Sequence, residues 1–362
     1  MLAAERRSRI LESAQREGAV RVSQLVGELG VSHVTIRRDL EALIHDGVLE
    51  KVRGGAMLRQ SAAAEPAPPQ PGPAPAQRTQ RTLGVLIPAA YYFRHVVDGI
   101  RSVAGSTGGD VRLLLSNYDQ AEEPALVREL VSSGCAGLLL APSVGGDDPE
   151  ALAYLDDVPV PAVLIERAAP GEELGRLSTV RSAHERGVAS AMRHLRDLGH
   201  TRVALVSRGE SQSAAFVRRG WADAVARHGM NPDVPNITGE RLGTGPTWEP
   251  GGPASVLDEL SAAGVTALLC HGDEDALVLL QHARGHGLSI PEDLSLVAYD
   301  DELAGLADPP LTAVAPHKEQ VGMVAARLLL DLIAGHLGQT PVHIQIEPQL
   351  HVRRTTARPR NA

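Results

Sequence analysis

Residues 31–55 read VSHVTIRRDLEALIHDGVLEKVRGG, and the spacing of their apolar side chains decides what the front of the chain must be. On a helix, Ile36, Leu40, Leu43 and Ile44 fall within about 100° of arc, so that face must be buried. Ser32 caps this helix and Gly47 ends it. Its opposite face carries Val34, Thr35, Arg38, Ala42 and His45, with Arg37 on the flank. Upstream, Ile10, Leu11 and Ala14 form the stripe of a first helix that stops near Gly18, and residues 20–22 read as a short strand. Ser23 caps a second helix through Leu25, Val26 and Leu29, and Gly30 supplies the turn to the third. Downstream, residues 48–49 and 51–53 flank a polar excursion before Gly54-Gly55, which suits a small hairpin wing.

Two short helices, a glycine turn and a wing bring the third helix N-terminal end first into a DNA major groove. Arg38 is placed to reach guanine bidentately, and Thr35 and Val34 to meet a thymine methyl. Ser32, Arg37 and Arg53 are placed to meet phosphates, which position without specifying. An arbitrary Arg-Arg pair is ordinarily a solvated helix face; the surrounding assembly is what favours a groove-reading role. Charge agrees. The chain's net charge is −9, yet residues 1–60 carry 10 Lys and Arg against 8 Asp and Glu. A mildly basic head on an acidic body fits a protein that touches phosphate through its first module alone.

Residues 61–80 contain six prolines and almost no large apolar side chain, which reads as a semi-rigid tether. The expected domains are therefore a winged helix-turn-helix over 1–60, the linker over 61–80, and a sensing domain over 81–362. In the last, short apolar runs at 83–87, 111–115, 137–140, 162–165, 203–206, 267–269 and 294–298 alternate with helical patterns at 122–133, 185–198, 213–228 and 275–286. Val-, Leu- and Ile-rich strands separated by helices indicate an α/β fold with parallel sheets covered on both faces. There are more strands than one compact sheet usually holds, which favours two similar lobes.

The two cysteines, Cys135 and Cys270, form no CxxC pair and read as buried thiols of a reducing compartment. The charged start of the chain and the lack of any long apolar run predict a cytoplasmic protein with no membrane partner. No HExxH, GxSxG, or GxxxxGK[ST] pattern and no metal cluster is found, so neither an enzyme nor a cofactor is expected.

Residues 6–57 resemble the N-terminal domain of the deoxyribose-operon-repressor (DeoR) family. The resemblance is carried by Arg9-Ile10-Leu11, Gly18-Ala19-Val20, the run from Val31 to Leu40, Leu43, Gly47 and Arg53-Gly54-Gly55-Ala56. The sugar-phosphate-isomerase-like body usual with that head is not found. Residues 82–357 instead resemble the effector domain of the lactose-repressor family, related to periplasmic sugar-binding proteins. The motifs are Leu83-Gly84-Val85-Leu86-Ile87-Pro88, Gly137-Leu138-Leu139-Leu140, His194 to His200, Ile290 to Asp301, Pro309 to Val314, and Leu350-His351-Val352-Arg353.

That resemblance implies two Rossmann-like lobes of the periplasmic-binding-protein type I kind, three chain crossings, and a ligand cleft at the strands' C-terminal ends. Ligand contacts are expected from Tyr92 and Phe93 through their ring faces, from Glu166-Arg167, and from Ser213, Arg218, Trp248, Asp273 and Asp300. A helix N-cap is the rival role for Asp300. Four departures stand out. The family's Arg is Val217 here, with Arg218 and Arg219 beside it; its Asn is Gly272; its Asp is Ala183; and its Gln is lost within Ala315-Pro316. The expected function is a transcription regulator, a repressor of carbohydrate genes, that binds double-stranded operator DNA as a homodimer under control of a sugar-like effector. The alternative is a regulator whose body only dimerises or binds a partner protein.

Overall fold

The computed structural model describes residues 82–143, 152–168, 177–207, 212–238, 248–249, 251–338 and 340–360. In the head it describes Ile10, Ser13, Val31, Leu25, Ile36, Leu40 and the strands named next. The chain divides into two compact units, residues 1–75 and 76–362.

In the first unit, Ile10, Leu25, Ile36 and Leu40 are helical and buried, so the i, i+4 pair on the third helix faces inward as its spacing requires. Strands β1 (Ala19–Arg21), β2 (Leu49–Val52) and β3 (Gly55–Leu58) form an antiparallel sheet in the order β1-β3-β2. The wing differs from the expected one. Its second strand runs beyond the glycines rather than before them, with Val52 opposite Gly55. Two residues thus separate the strands in sequence, the commonest hairpin spacing. Ser32, Val34, Thr35, Arg37, Arg38 and Arg53 lie outside the described residues, as does the 61–80 segment.

The second unit holds two sheets of six strands, and the chain passes between them three times. Lobe one begins with β4 (Thr82–Ile87), α1 (Ala90–Ser106), β5 (Asp110–Leu115), α2 (Glu123–Ser132), β6 (Gly137–Leu140), β7 (Ala162–Ile165) and β8 (Ser178–Ser182). The chain then crosses at Ala183 into lobe two. There follow α3 (His184–Asp197), β9 (Val203–Ser207), α4 (Gln212–His228), β10 (Asn236–Thr238), α5 (Gly252–Ala262), β11 (Ala267–His271), α6 (Asp273–Gly285), β12 (Ser295–Tyr299) and β13 (Thr312–Ala315). It returns to lobe one as α7 (Lys318–Ile333) and β14 (His343–Ile346), and ends in lobe two with β15 (Gln349–His351). The strand orders are β14-β8-β7-β6-β4-β5 and β10-β9-β11-β12-β13-β15. All pairs are parallel except β13–β15.

Each sheet is covered on both faces, which is why its central strands are continuous apolar runs. In lobe one, Leu83, Val85 and Ile87 join one core with Val96, Ile100 and Leu329, while Leu86, Leu138 and Leu140 join another with Val127 and Leu130. Helices α1 and α7 cross closely enough to need glycine at both contact points. A Cβ on Gly322 would overlap the Val96 carbonyl oxygen, and one on Gly99 would overlap that of Glu319. In lobe two, α6 opens with Asp273, Glu274 and Asp275 and closes with His282 and Arg284, charges that complement the helix dipole.

Among the described residues, no helix is long and apolar enough to cross a membrane.

Candidate functional site

With parallel strands, each lobe turns its C-terminal strand ends one way, and side-chain contacts between the lobes show that the two sets of ends meet. Glu166 follows β7 at φ +54° and is 1% exposed. Its Oε1 accepts hydrogen bonds from the Tyr92 hydroxyl at 2.9 Å and the Ser182 hydroxyl at 2.8 Å, and its Oε2 accepts the Ser182 amide at 2.9 Å. His184 Nε2, across the first chain crossing, lies 3.3 Å from Oε2. Burial alone would raise the Glu166 pKa, but the His184 imidazole and the Ser182 donors outweigh it and hold the carboxyl at about 2. His184 Nδ1 is 2.8 Å from the Tyr299 hydroxyl, so the pair links β7 of one lobe to β12 of the other.

Three further contacts join the lobes. The Gln212 side-chain amide makes two hydrogen bonds with the backbone of Ala168, at 2.9 and 3.2 Å, as a second peptide strand would. Lys318 donates to Glu302 Oε1 at 2.7 Å and to the Asp300 carbonyl at 3.1 Å. His95 of α1 reaches the other oxygen of Glu302 at 3.2 Å.

The loop after β12 is held from two sides. Arg353 grips Asp301 with both terminal nitrogens, at 2.6 and 2.8 Å, and His351 adds a contact of 2.6 Å. Burial works to raise the Asp301 pKa, but the Arg353 and His351 bonds bring it below the usual carboxylate range. Asp273 Oδ2 accepts the backbone amides of Leu303 at 2.7 Å and Ala304 at 3.3 Å. The loop so fixed presents Asp300 at φ +98° and Asp301 at φ +56°. Left-handed backbone at residues other than glycine is costly, and it persists where the surroundings over-determine it. Burial raises the Asp300 pKa against the opposing charge of Lys318. A cavity of about 830 Å³ opens beside this loop toward α7, lined in part by His95, Asp300, Glu302, Lys318 and Arg327.

The expected ligand residues fall into two groups. Tyr92, Glu166, Asp273 and Asp300 stand at the meeting strand ends. Ser213 and Arg218 lie on α4, and Arg218 Nη1 is 3.5 Å from Ser207 Oγ at the end of β9. Trp248 donates to Asp275 Oδ1 at 2.9 Å on the same edge of lobe two. Phe93 is different. The sequence reading gave its ring face to a ligand, but Phe93 lies on a helix and turns into the lobe-one core at 4% exposure. Its ring instead carries the Arg167 guanidinium at 5.7 Å. Arg167 is itself buried and donates to the carbonyls of Pro142 and Glu166.

Asp300 caps no helix; the next element is a single turn at Ala304–Leu306. Gly272, where an Asn was expected, has φ +120°, a conformation that favours glycine. Val217 is fully buried in lobe two. His184, His271, Tyr299, Lys318 and Gln212 escaped the sequence reading. Tyr299 adjoins Asp300 in its motif, and His184 follows the departing Ala183, but lone residues at strand ends carry no periodic signal.

A family profile for a DeoR-like helix-turn-helix domain matches residues 6–62, and one for a periplasmic binding protein-like domain matches residues 192–356. A transcriptional regulator of the HTH type from Streptomyces limosus, encoded in the aml 5' region, is 32% identical over 243 residues, which cover 66% of this chain and 67% of that protein. The chain belongs to the HTH-type transcriptional regulators. The arabinose metabolism transcriptional repressor of Geobacillus stearothermophilus is 26% identical, over 92% of this regulator and 90% of the repressor. The crystal structure of a LacI family regulator from Enterococcus faecium with bound ribose matches with a TM-score of 0.62 and 25% identity, covering 77% of this chain and 99% of that one. The regulator is thus a DNA-binding protein with a DeoR-like head and a body of the lactose-repressor fold, and its relatives are repressors rather than enzymes.

Proposed function

We propose that this regulator represses carbohydrate-metabolism genes and is controlled by a sugar-like effector held between its lobes. The observation that carries the reading is the loop after β12, pinned through Asp273 and Arg353, which holds Asp300 at a positive φ beside the meeting strand ends. A carboxylate held this way favours ligands that donate hydroxyls to it and rejects those that leave it unpaired. The arabinose repressor and the ribose-bound regulator support the same class of ligand.

In this reading Tyr92, Glu166, Ser213, Arg218, Trp248, Asp273 and Asp300 border the effector, with Phe93 and Arg167 supporting them from beneath. Val34, Thr35 and Arg38 read bases in an operator, and Ser32, Arg37 and Arg53 hold phosphates; the head is of the DeoR kind. The protein works in the cytoplasm as a homodimer, with domains 1–60 and 81–362 joined by the proline-rich 61–80. Since a sequence with six prolines in twenty residues does not suit a helix, the effector acts by changing the dimer geometry of the bodies. That coupling is worth about 1–3 kcal/mol.

A thermal-shift screen of the full chain against neutral pentoses and hexoses tests the effector reading. At least one sugar should raise the melting temperature, and D300A, still folded, should lose that response. A screen with no response favours a body that only dimerises or binds a partner protein.

A further inference from the structure

Two polar atoms at the end of β11 are buried without a hydrogen-bond partner, Asp273 Oδ1 and His271 Nδ1. Asp273 is 1% exposed, and its other oxygen is occupied by the Leu303 and Ala304 amides. A buried carboxylate oxygen without a donor is costly until one reaches it. Burial lowers the His271 pKa to about 4, helped by the charges of His184 and Arg218, and raises that of Asp273 to about 6 against the Leu303 amide. At neutral pH the imidazole is therefore uncharged while Asp273 is ionised.

Negative charge gathers around the idle oxygen. Asp300 ends the neighbouring strand, Glu274 follows Asp273, and Glu302 sits on the pinned loop. Tyr91 of α1 faces this group from lobe one, its pKa raised by burial and then by the charges of Asp273, Asp300, Glu274 and Glu302. Of the nearby cations, Lys318 pairs with Glu302 and stands 4.0 Å from Asp300 Oδ1, His95 pairs with Glu302, and Arg353 with Asp301; none of these three forms an ion pair with Asp273. Arg218 stands toward Ser207 and His271. A hydroxyl brings one donor and no charge, whereas a protonated amine brings up to three donors and a positive charge to set against Asp273.

We propose that the effector is an amine-bearing sugar whose protonated nitrogen seats on the idle oxygen of Asp273, beside Asp300. The assignment rests on the sugar reading of the cleft and narrows it. Sugar phosphates and sugar acids are repelled from the same place.

Calorimetry on the full chain near neutral pH, with glucosamine, galactosamine and mannosamine set against glucose, galactose and mannose, tests it. One amino sugar should bind at least about tenfold more tightly than its neutral parent, and D273N should abolish the difference. Should D273N fail to fold, the wild type near pH 5, where Asp273 is protonated, should lose the preference instead. A neutral parent that binds as tightly as its amine overturns the proposal and leaves the sugar reading standing. A preference that persists in folded D273N, or near pH 5, overturns the role of Asp273. Heat from none of the six sugars also overturns the proposal, and the neutral-sugar thermal screen then judges the broader reading separately.

Discussion

Glu166 shows how single residues tie the lobes together. Its carboxylate is buried, takes three hydrogen bonds from Tyr92 and Ser182, and lies beside a histidine from the other side of the crossing. Its pKa falls from the ordinary 4.5 to about 2, so the ionised form stabilises the fold. That contribution is complete above the unfolded value and is lost as pH falls from about 4.5 toward 2. At 1.36 kcal/mol per unit, the full shift is worth about 3 kcal/mol. E166Q should therefore be less stable than wild type by about that amount near pH 7, with a gap that narrows below pH 4. Urea unfolding at the two pH values measures it; a gap that stays constant would mean that Glu166 is not the acid-sensitive link.

At the scale of elements, the crossing of α1 and α7 sets the packing of lobe one, since the helices touch backbone to backbone at Gly99 and Gly322. G322A should push them apart and cost about 2 kcal/mol or more. G105A, in the same α1 but with nothing within 4 Å of its added methyl, should instead be neutral or gain up to about 1 kcal/mol in helix propensity. Equal effects in a urea titration would dismiss the close crossing. Legibility also differed element by element. The strands read from the sequence at 83–87, 137–140 and 162–165 are central and covered on both faces, so their apolar runs announce them. Strand β8, Ser178–Ser182, was not readable. Although it is buried throughout, its polar residues are satisfied by partners distant in sequence, Thr179 by His343 and Ser178 by the Val342 amide. The site divides similarly. Asp300 was legible because it ends a recognisable strand motif, whereas His184 and His271 matter only through neighbours that the fold brings from elsewhere. The departure at Gly272 shows the reverse case, a loss of a donor that the left-handed backbone there explains.

At the scale of the molecule, a DNA-binding head precedes a two-lobed body whose strand ends meet around Asp273 and Asp300. The lobes touch through a small set of polar contacts, Gln212 with Ala168, Lys318 with Glu302, and His184 with Glu166. A ligand entering between them must rearrange those contacts, and a device of that kind can shift a two-state equilibrium only by its differential affinity for the two arrangements. The most direct test is the affinity of the full chain for DNA from its own upstream region, measured by fluorescence anisotropy at one salt concentration, with and without the sugar that stabilises it in the thermal screen. Operator affinity should change by about 5- to 150-fold, and the change should be absent in D300A. An unchanged affinity with that sugar saturating the body would contradict it.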